Sequence, residues 1–314
     1  MLFYNTVKKI YNKLIFARCD DTGVARYFSA KDFEGIKCEP YAFKGSKGHK
    51  LQGYFYSYDG AEKDRIIVFD HGMGGGHLSY MKEIEMLARH GYTVFAYDHT
   101  GCMESEGEST VGFTQSLCDL DCCLKILKAD ESFKDKKFAV IGHSWGGYAS
   151  LNISSFHPDL THVVVLSGFV SVAKIAERFG ALKKYIYSIE KEANPKYVDC
   201  DAVKSLNNSK AKVLLVYSDN DAMVNKEQNF DYLKSSLSGR KDTFFVLESG
   251  KSHNPNYTSD AVAFLNDYLA KLNKTKKSLK TAEKKKAFVN SFDWDRMTQQ
   301  DDKVWNRIFE IFDN

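Results

Sequence analysis

The sequence predicts a doubly wound α/β domain, in which a mostly parallel sheet is covered by helices on both faces. From about residue 65 onward, short apolar runs alternate with longer segments of helical periodicity. Runs that are apolar along their whole length are typical of parallel strands buried on both sides, and right-handed crossovers between such strands give a doubly wound sheet. The predicted strands are 66–69, 93–97, 138–141, 162–166, 213–217 and 243–247, and the helical segments between them include 78–90, 114–129, 145–156, 225–237 and 256–272.

Segments outside this alternation predict a hairpin, a cap and two terminal extensions. Residues 36–44 and 50–57 flank a glycine-containing turn, which indicates an antiparallel hairpin at a sheet edge. Residues 168–208 are longer than one crossover helix and are predicted to form a small helical cap over the carboxyl edge of the sheet. We therefore expect an N-terminal helical extension (1–36), an α/β domain (37–272) and a C-terminal lysine-rich linker and helix (273–314).

The two ends of the chain each predict an amphipathic helix. Residues 1–16 place apolar side chains at helical spacing with lysines on the far side, and residues 304–312 repeat the apolar spacing. We expect both helices to pack on their own domain. A membrane-surface contact for the first helix and a homodimer interface built by both are the alternatives.

Composition and charge exclude several classes of protein. A formal net charge of +3 over 314 residues does not provide the concentrated basic face that nucleic-acid binding needs. The seven cysteines form no CxxC pair and no zinc-type spacing with histidine, so we expect reduced thiols and no metal site. Lysines interrupt the N-terminal apolar residues, and no apolar run approaches the ~20 residues that span a bilayer. The sequence therefore predicts a cytoplasmic protein without a stable membrane anchor.

The strongest chemical signal is a G-x-S-x-G pattern centred on Ser144. Residues 142–146 read GHSWG, directly after a predicted strand and directly before a helical segment. That strand–turn–helix context is what a nucleophile elbow requires, because the tight turn projects the serine hydroxyl above the sheet. The alternative is a glycine-rich turn without chemistry. We identify Ser144 as the candidate nucleophile.

A serine nucleophile needs a base and a carboxylate, and the loops after the last two strands offer both. His253 lies between the last predicted strand and the last helix of the domain, which makes it the candidate base. Asp219 and Asp221 follow the strand at 213–217, where catalytic groups gather in this architecture. We favour Asp221, because it stands just before the apolar start of the next segment. Asp219 is the alternative, with a turn or helix cap as its expected structural role.

The oxyanion that forms during acyl transfer needs two backbone N–H donors. Trp145, the residue after the nucleophile, is expected to supply one, and Met73 in the glycine-rich loop HGMGGGH is expected to supply the other. A phosphate-binding loop is excluded, because neither GK[ST] nor the GxGxxG spacing is present. His71 in this loop is expected to be a structural hydrogen-bonding residue.

With these motifs in place, residues from about 37 to 272 resemble the α/β-hydrolase superfamily, and most of all its serine aminopeptidase-like and esterase-like branch. The matching stretches are HGMGGG, YDHTGCMESEG, GHSWGG and SDNDAMV, followed by the late histidine, and the order Ser, Asp, His is also that of the family. The resemblance implies an eight-stranded, mostly parallel sheet and acyl transfer to water without a cofactor. Thr100 stands where the family usually has arginine, which puts the packing of that loop in doubt.

The expected activity is that of a carboxylesterase acting on a small-molecule ester. Aromatic residues in the predicted cap suggest an apolar or aromatic acyl group. A peptidase acting on short or acylated peptides is the second candidate, and a thioesterase is the third. A non-catalytic binding protein on the same scaffold is the candidate from a different class, because a fold does not fix a function.

Overall fold

The structure is a computed structural model that describes residues 2–61 and 63–314. Its strands are β1 (Lys37–Lys44), β2 (Lys50–Ser57), β3 (Arg65–Asp70), β4 (Thr93–Tyr97), β5 (Lys137–His143), β6 (His162–Leu166), β7 (Lys212–Ser218) and β8 (Thr243–Glu248). Its α-helices are α1 (Leu2–Ile10), α2 (Met81–Arg89), α3 (Gln115–Ala129), α4 (Trp145–Asn152), α5 (Val172–Ala176), α6 (Lys183–Ala193), α7 (Ala202–Asn207), α8 (Tyr232–Ser236), α9 (Ser259–Thr275), α10 (Ala282–Val289), α11 (Trp294–Met297) and α12 (Asp302–Phe312).

The strands form one eight-stranded, mostly parallel sheet in the order β1-β2-β4-β3-β5-β6-β7-β8. The hairpin strands β1 and β2 pair antiparallel, β2 pairs antiparallel with β4, and the remaining neighbours are parallel. The predicted fold class and the edge hairpin are therefore confirmed. After β3 the chain first adds β4 on one side and then β5 on the other. Loops that diverge at such a point leave a crevice at the carboxyl ends of the strands.

Helices cover both faces of the sheet, because alternate side chains of each strand point to opposite sides. In β3, Ile66 and Val68 join a core with residues of α3 and α4. Ile67 and Phe69 join a second core with residues of α2, α9 and α12. This two-sided burial explains why the strands read as uninterrupted apolar runs.

The N-terminal helix lies on the cap. Helix α1 continues as a π-helical turn over Tyr11–Ile15, close to the predicted 1–16, and residue 1 lies outside the described residues. The segment predicted as the cap (168–208) contains α5, a 3-10 segment at Glu177–Leu182, α6 and α7. The ring of Phe3 in α1 meets the edge of Tyr185 in α6, with centroids 5.3 Å apart.

The C-terminal segment covers one face of the sheet. Trp305 and Phe312 of α12 are fully buried in the same core as Ile67 of β3. The lysine-rich stretch contains the end of α9 and the start of α10. The division at 36 and 272 stays a prediction. Within the described residues, no helix has the length and apolar character to cross a membrane.

Candidate active site

Ser144 occupies a strained turn between β5 and α4. Its backbone has φ 56° and ψ −109°, an arrangement that side-chain-bearing residues adopt only when the surroundings enforce it. The flanking glycines are required by close backbone approach, because a Cβ at Gly142 would overlap the carbonyl of Gly146, and a Cβ at Gly146 would overlap that of Asp70. The turn leaves the serine partly exposed at the carboxyl edge of the sheet.

A continuous hydrogen-bond chain joins the three residues that the sequence predicted. Ser144 Oγ lies 2.8 Å from His253 Nε2, and His253 Nδ1 lies 2.7 Å from Asp221 Oδ2. A carboxylate can only accept, so Nδ1 carries the proton and Nε2 is the atom able to accept the serine proton. The candidate nucleophile, base and carboxylate thus have distances that fit an acyl-transfer triad.

The carboxylate of Asp221 is buried, and its hydrogen-bond donors keep it ionised. Burial by itself raises the pKa of a carboxyl group. The hydrogen bond from His253, the histidine's charge and the N–H groups of Val224 and Met223 (2.9 and 2.7 Å) outweigh it, so the pKa of Asp221 lies below its ordinary value. An ionised Asp221 holds the imidazole in one tautomer and one orientation.

Side chains in the loop after β7 form hydrogen bonds with the loop after β8. These hydrogen bonds hold the loop of Asp221 next to the loop of His253. Asp219 accepts hydrogen bonds from the Ser249 hydroxyl (2.8 Å) and the Gly250 N–H (2.9 Å). Asn220 Oδ1 accepts from the N–H of Ser252 at 2.8 Å. Asp219 therefore lies in the loop contact and not on the histidine, which agrees with the preference for Asp221.

His143 connects the base to the glycine-rich loop, a role that the sequence analysis did not foresee. Its Nε2 lies 2.7 Å from the carbonyl oxygen of His253, and its Nδ1 lies 2.8 Å from the Tyr80 hydroxyl. That hydroxyl in turn accepts the N–H of Gly72 at 3.1 Å. Burial lowers the pKa of His143 to about 3, so the ring is neutral, donating through Nε2 and accepting through Nδ1. The only sequence signal was the position of His143 inside the G-x-S-x-G motif.

The predicted oxyanion donors lie beside the nucleophile. Trp145 is the first residue of α4, where a backbone N–H has no helical acceptor. Met73 lines the same cavity as Ser144. His71 is fully buried and structural, as expected: its Nδ1 lies 2.7 Å from the Gly72 carbonyl, and its Nε2 accepts the His99 N–H at 3.0 Å. The roles of the Trp145 and Met73 N–H groups as oxyanion donors remain predictions.

A cavity of about 430 Å³ opens next to the nucleophile. This volume lies within the range of about 300–1,000 Å³ typical of small-molecule sites. Its lining residues are Ile15, Met73, Phe113, Ser144, Trp145, Phe169, Ile175, Arg178, Phe179, Met223 and Val224. The lining is apolar apart from Ser144 and Arg178, and the cap supplies both Phe169 and Phe179. The cavity is thus suited to an apolar group attached to the reacting carbonyl.

Two polar contacts hold the cap over this cavity. The guanidinium of Arg178 donates to the carbonyls of Met223 and Ala222, which lie in the loop that carries Asp221. Glu190 of α6 is buried and accepts from the Thr114 hydroxyl (2.6 Å), from N–H groups at the start of α3 and from the Tyr11 hydroxyl. The carboxylate of Glu190 therefore joins the cap, α3 and the N-terminal segment.

The C-terminal segment supports the loop of the base, and sequence reasoning missed this contact. Lys251, two residues before His253, is buried and donates to Asp301 (2.6 Å) and to the carbonyl of Tyr257 (2.5 Å). Asn256 donates to Glu83 and to Gln300. No local pattern in the sequence indicated that residues near 300 reach this loop.

The loop with the unusual Thr100 is packed by a buried carboxylate. The N–H and hydroxyl of Thr100 donate to Asp119 at 2.8 and 3.0 Å. His99 lies between Asp119 and Asp70. The two carboxylates outweigh the effect of burial and raise the pKa of His99 to about 9.

No group of three or more His, Cys, Asp or Glu residues suited to a metal ion occurs among residues 2–61 and 63–314.

The sequence is similar to known hydrolases over its central part. Residues 61–198 match the family described as serine aminopeptidase, S33. A proline iminopeptidase of Saccharolobus solfataricus is 25% identical over 183 residues, which are 52% of this chain and 57% of that protein. The AB hydrolase superfamily protein YfhM of Bacillus subtilis is 27% identical over 126 residues, 40% of this chain and 41% of that protein. The match therefore covers little more than half of these relatives at most.

Solved structures share the fold. The Pyrococcus furiosus esterase Pf2001 has a TM-score of 0.59 at 20% identity, covering 83% of this chain and 98% of that chain. An acylaminoacyl peptidase of Pyrococcus horikoshii has a TM-score of 0.51 at 18% identity, covering 69% of this chain and 38% of that chain. The chain thus has the α/β-hydrolase fold, and its central part is similar to the serine aminopeptidase family of that superfamily.

Proposed function

We propose that this hydrolase cleaves carboxylic esters through a covalent acyl-serine intermediate. The observation that carries the proposal is the unbroken hydrogen-bond chain Ser144–His253–Asp221 beside an apolar cavity. A serine hydroxyl is a weak nucleophile until a positioned base removes its proton, and His253 Nε2 lies within that reach. The reaction needs no cofactor.

The proposed mechanism has two halves. In the first, Ser144 Oγ attacks the ester carbonyl while its proton moves to His253 Nε2, and the N–H groups of Met73 and Trp145 stabilise the oxyanion. The alcohol then leaves with the proton from the imidazolium, which Asp221 stabilises. In the second half, water loses a proton to His253, attacks the acyl-serine and releases the acid.

The charge of the cavity favours an uncharged acyl group over a free amino terminus. The described residues that line it include Arg178 but no carboxylate. A substrate ammonium group would have no partner of opposite charge there, and an unpaired charge in a poorly solvated site is costly. An uncharged ester is therefore the favoured substrate.

A peptidase of short or acylated peptides is the second candidate. The family match and the proline iminopeptidase similarity favour it. An acylated amino terminus is uncharged, so the absence of a lining carboxylate does not disfavour such a substrate. A thioesterase is the third candidate, because the same triad cleaves thioesters.

The test is hydrolysis of p-nitrophenyl esters from acetate to decanoate, with aminoacyl and acyl-aminoacyl p-nitroanilides beside them. We expect ester turnover that Ser144→Ala abolishes and that the exposed-site control Ser235→Ala retains. Full turnover by Ser144→Ala would refute the proposal. Hydrolysis of the anilides without hydrolysis of the esters would change the assignment to a peptidase.

A fluorophosphonate probe separates an enzyme from a binding protein on the same scaffold. We expect labelling at Ser144 that Ser144→Ala prevents, and an unlabelled wild-type protein would favour the non-catalytic binding protein.

We also propose a cytoplasmic setting, because all seven cysteines are free and such thiols persist in reducing compartments.

A further inference from the structure

Exposed apolar side chains are concentrated on the N-terminal segment, on the cap and on the cavity lining. Of the eight large apolar residues that are exposed in the described part of the chain, six lie on the N-terminal segment, on the cap or on the cavity lining. These six are Phe3, Ile10, Leu14, Met73, Leu182 and Met223. Single exposed apolar residues need no explanation, whereas a contiguous group rimmed by polar residues marks a surface that another partner covers.

The N-terminal helix carries an outward apolar row. Phe3 and Ile10 of α1 are seven residues apart, so they lie along one side of that helix, and Leu14 follows in the π-helical turn. Their exposures are 58%, 51% and 75%, although the Phe3 ring also packs edge-on against Tyr185. Val7 and Tyr11, in the same segment, are buried in the core. The residue after Leu14, Ile15, lines the cavity, so the outward row ends at the cavity mouth.

The same surface is positively charged. Residues 3–15 contain three lysines and no acidic residue, and residues 177–187 contain Arg178 and two lysines against Glu177 alone. These two segments together carry a net charge of +5, whereas the whole chain carries +3. Lys8 is paired with Glu192, which leaves four positive charges in excess beside the apolar row. An apolar row flanked by lysines is the pattern of helices that lie in the interface of an anionic membrane.

We propose that helix α1 and the cap rest reversibly on an anionic lipid surface and that the cavity takes its ester substrate from that surface. The apolar row inserts among the acyl chains, and the lysines face the anionic headgroups. A second copy of this chain is disfavoured as the occupant, because a symmetric contact would set the same positive surface against itself. The lipid-ester substrate class rests on the proposed function, whereas the docking surface does not.

The binding test uses the full chain and lipid vesicles. We expect co-sedimentation with phosphatidylcholine vesicles that contain phosphatidylserine, at least about tenfold stronger than with phosphatidylcholine alone and weakened by salt. The double variant Ile10→Asp, Leu14→Asp should lower this binding more than about tenfold. The matched control Leu269→Asp alters a 45% exposed leucine of α9 outside the surface and should bind like wild type. Equal binding by the double variant, or none by wild type, would overturn the proposal.

Activity assays separate this inference from the proposed function. The double variant should hydrolyse soluble p-nitrophenyl acetate like wild type, which also shows that it is folded, and should hydrolyse a long-chain p-nitrophenyl ester held in anionic vesicles at least about tenfold more slowly. Equal rates on the vesicle-held ester would overturn the substrate class. If the Ser144→Ala protein bound vesicles and remained active, the activity would refute the catalytic triad, whereas the binding would still support the lipid-docking surface. A dimer by light scattering that the double variant dissociates would assign the surface to a second copy instead.

Discussion

Replacing His143 with phenylalanine should slow catalysis, although His143 does not touch the reacting atoms. The ring donates to the carbonyl of His253 at 2.7 Å and accepts from Tyr80 at 2.8 Å. Phenylalanine has a similar size but can make neither bond. The loop of the base and the glycine-rich loop would then lose the group that joins them.

The size of the effect follows from the groups left unpaired. A buried polar donor or acceptor without a partner costs about 1–3 kcal/mol. The change leaves the carbonyl of His253 without its donor and the hydroxyl proton of Tyr80 without its acceptor, although the Tyr80 oxygen still accepts from Gly72. The free energy of unfolding should therefore fall by about 2–6 kcal/mol. A displacement of the base by about 1 Å can lower the rate about 10²-fold. Because burial lowers the pKa of His143 to about 3, the wild-type contact should be independent of pH above about 5.

The assay is steady-state hydrolysis of a soluble p-nitrophenyl ester below the unfolding temperature of every variant. A positioning role lowers kcat and leaves KM nearly unchanged, since the acyl cavity is intact. His143→Gln keeps an N–H donor for the His253 carbonyl but not the acceptor for Tyr80, so it should recover much of kcat. A folded His143→Phe protein with kcat within about twofold of wild type would refute the reasoning.

Three further predictions concern carboxylates. Asp221→Asn should lower kcat by about 10⁴-fold with the fold retained, because the amide cannot hold the imidazole in the required tautomer, and the control Asp219→Asn should change kcat far less; steady-state kinetics checks both. Glu190→Ala removes the acceptor of several buried donors and should lower the free energy of unfolding in urea by about 3–5 kcal/mol, whereas the exposed-site control Glu192→Ala should change it far less. Burial raises the pKa of Glu83 to about 7, so folding favours its protonated form, and its contribution to stability should fall by up to about 3 kcal/mol as the pH rises from about 4.5 to about 7. Urea titrations across that pH range should show that Glu83→Gln lacks this pH-dependent loss of stability. Identical profiles of unfolding free energy against pH for wild type and Glu83→Gln would contradict the prediction.

The sheet was predictable because its signals are local. Each parallel strand is buried on both faces, so it reads as a short apolar run, and the observed strands begin and end within about two residues of the predicted ones. The elbow was equally visible, since glycines at 142 and 146 and a serine between them are needed within a single turn. The hairpin followed from its turn residues.

The partners that hold the site together were not predictable, because they are distant in sequence. Tyr80 and His143 are 63 residues apart, and Lys251 and Asp301 are 50 residues apart. In each of these two pairs, the local sequence around one residue gives no indication of the other. The contact between Glu190 and Tyr11, across 179 residues, exists only because the cap and the N-terminal segment fold onto the same side of the sheet.

The sequence by itself determined which segments form strands and helices, and it identified Ser144, His253 and a choice between Asp221 and Asp219 as the site candidates, because periodicity and turn chemistry act between neighbours in the chain. Only the tertiary structure decided that Asp221 faces His253 while Asp219 binds the adjoining loop. It also decided which residues line the cavity and which apolar residues remain exposed around it. The physical reason is that side-chain direction in a loop depends on what packs against it, and those contacts come from segments far away in the sequence.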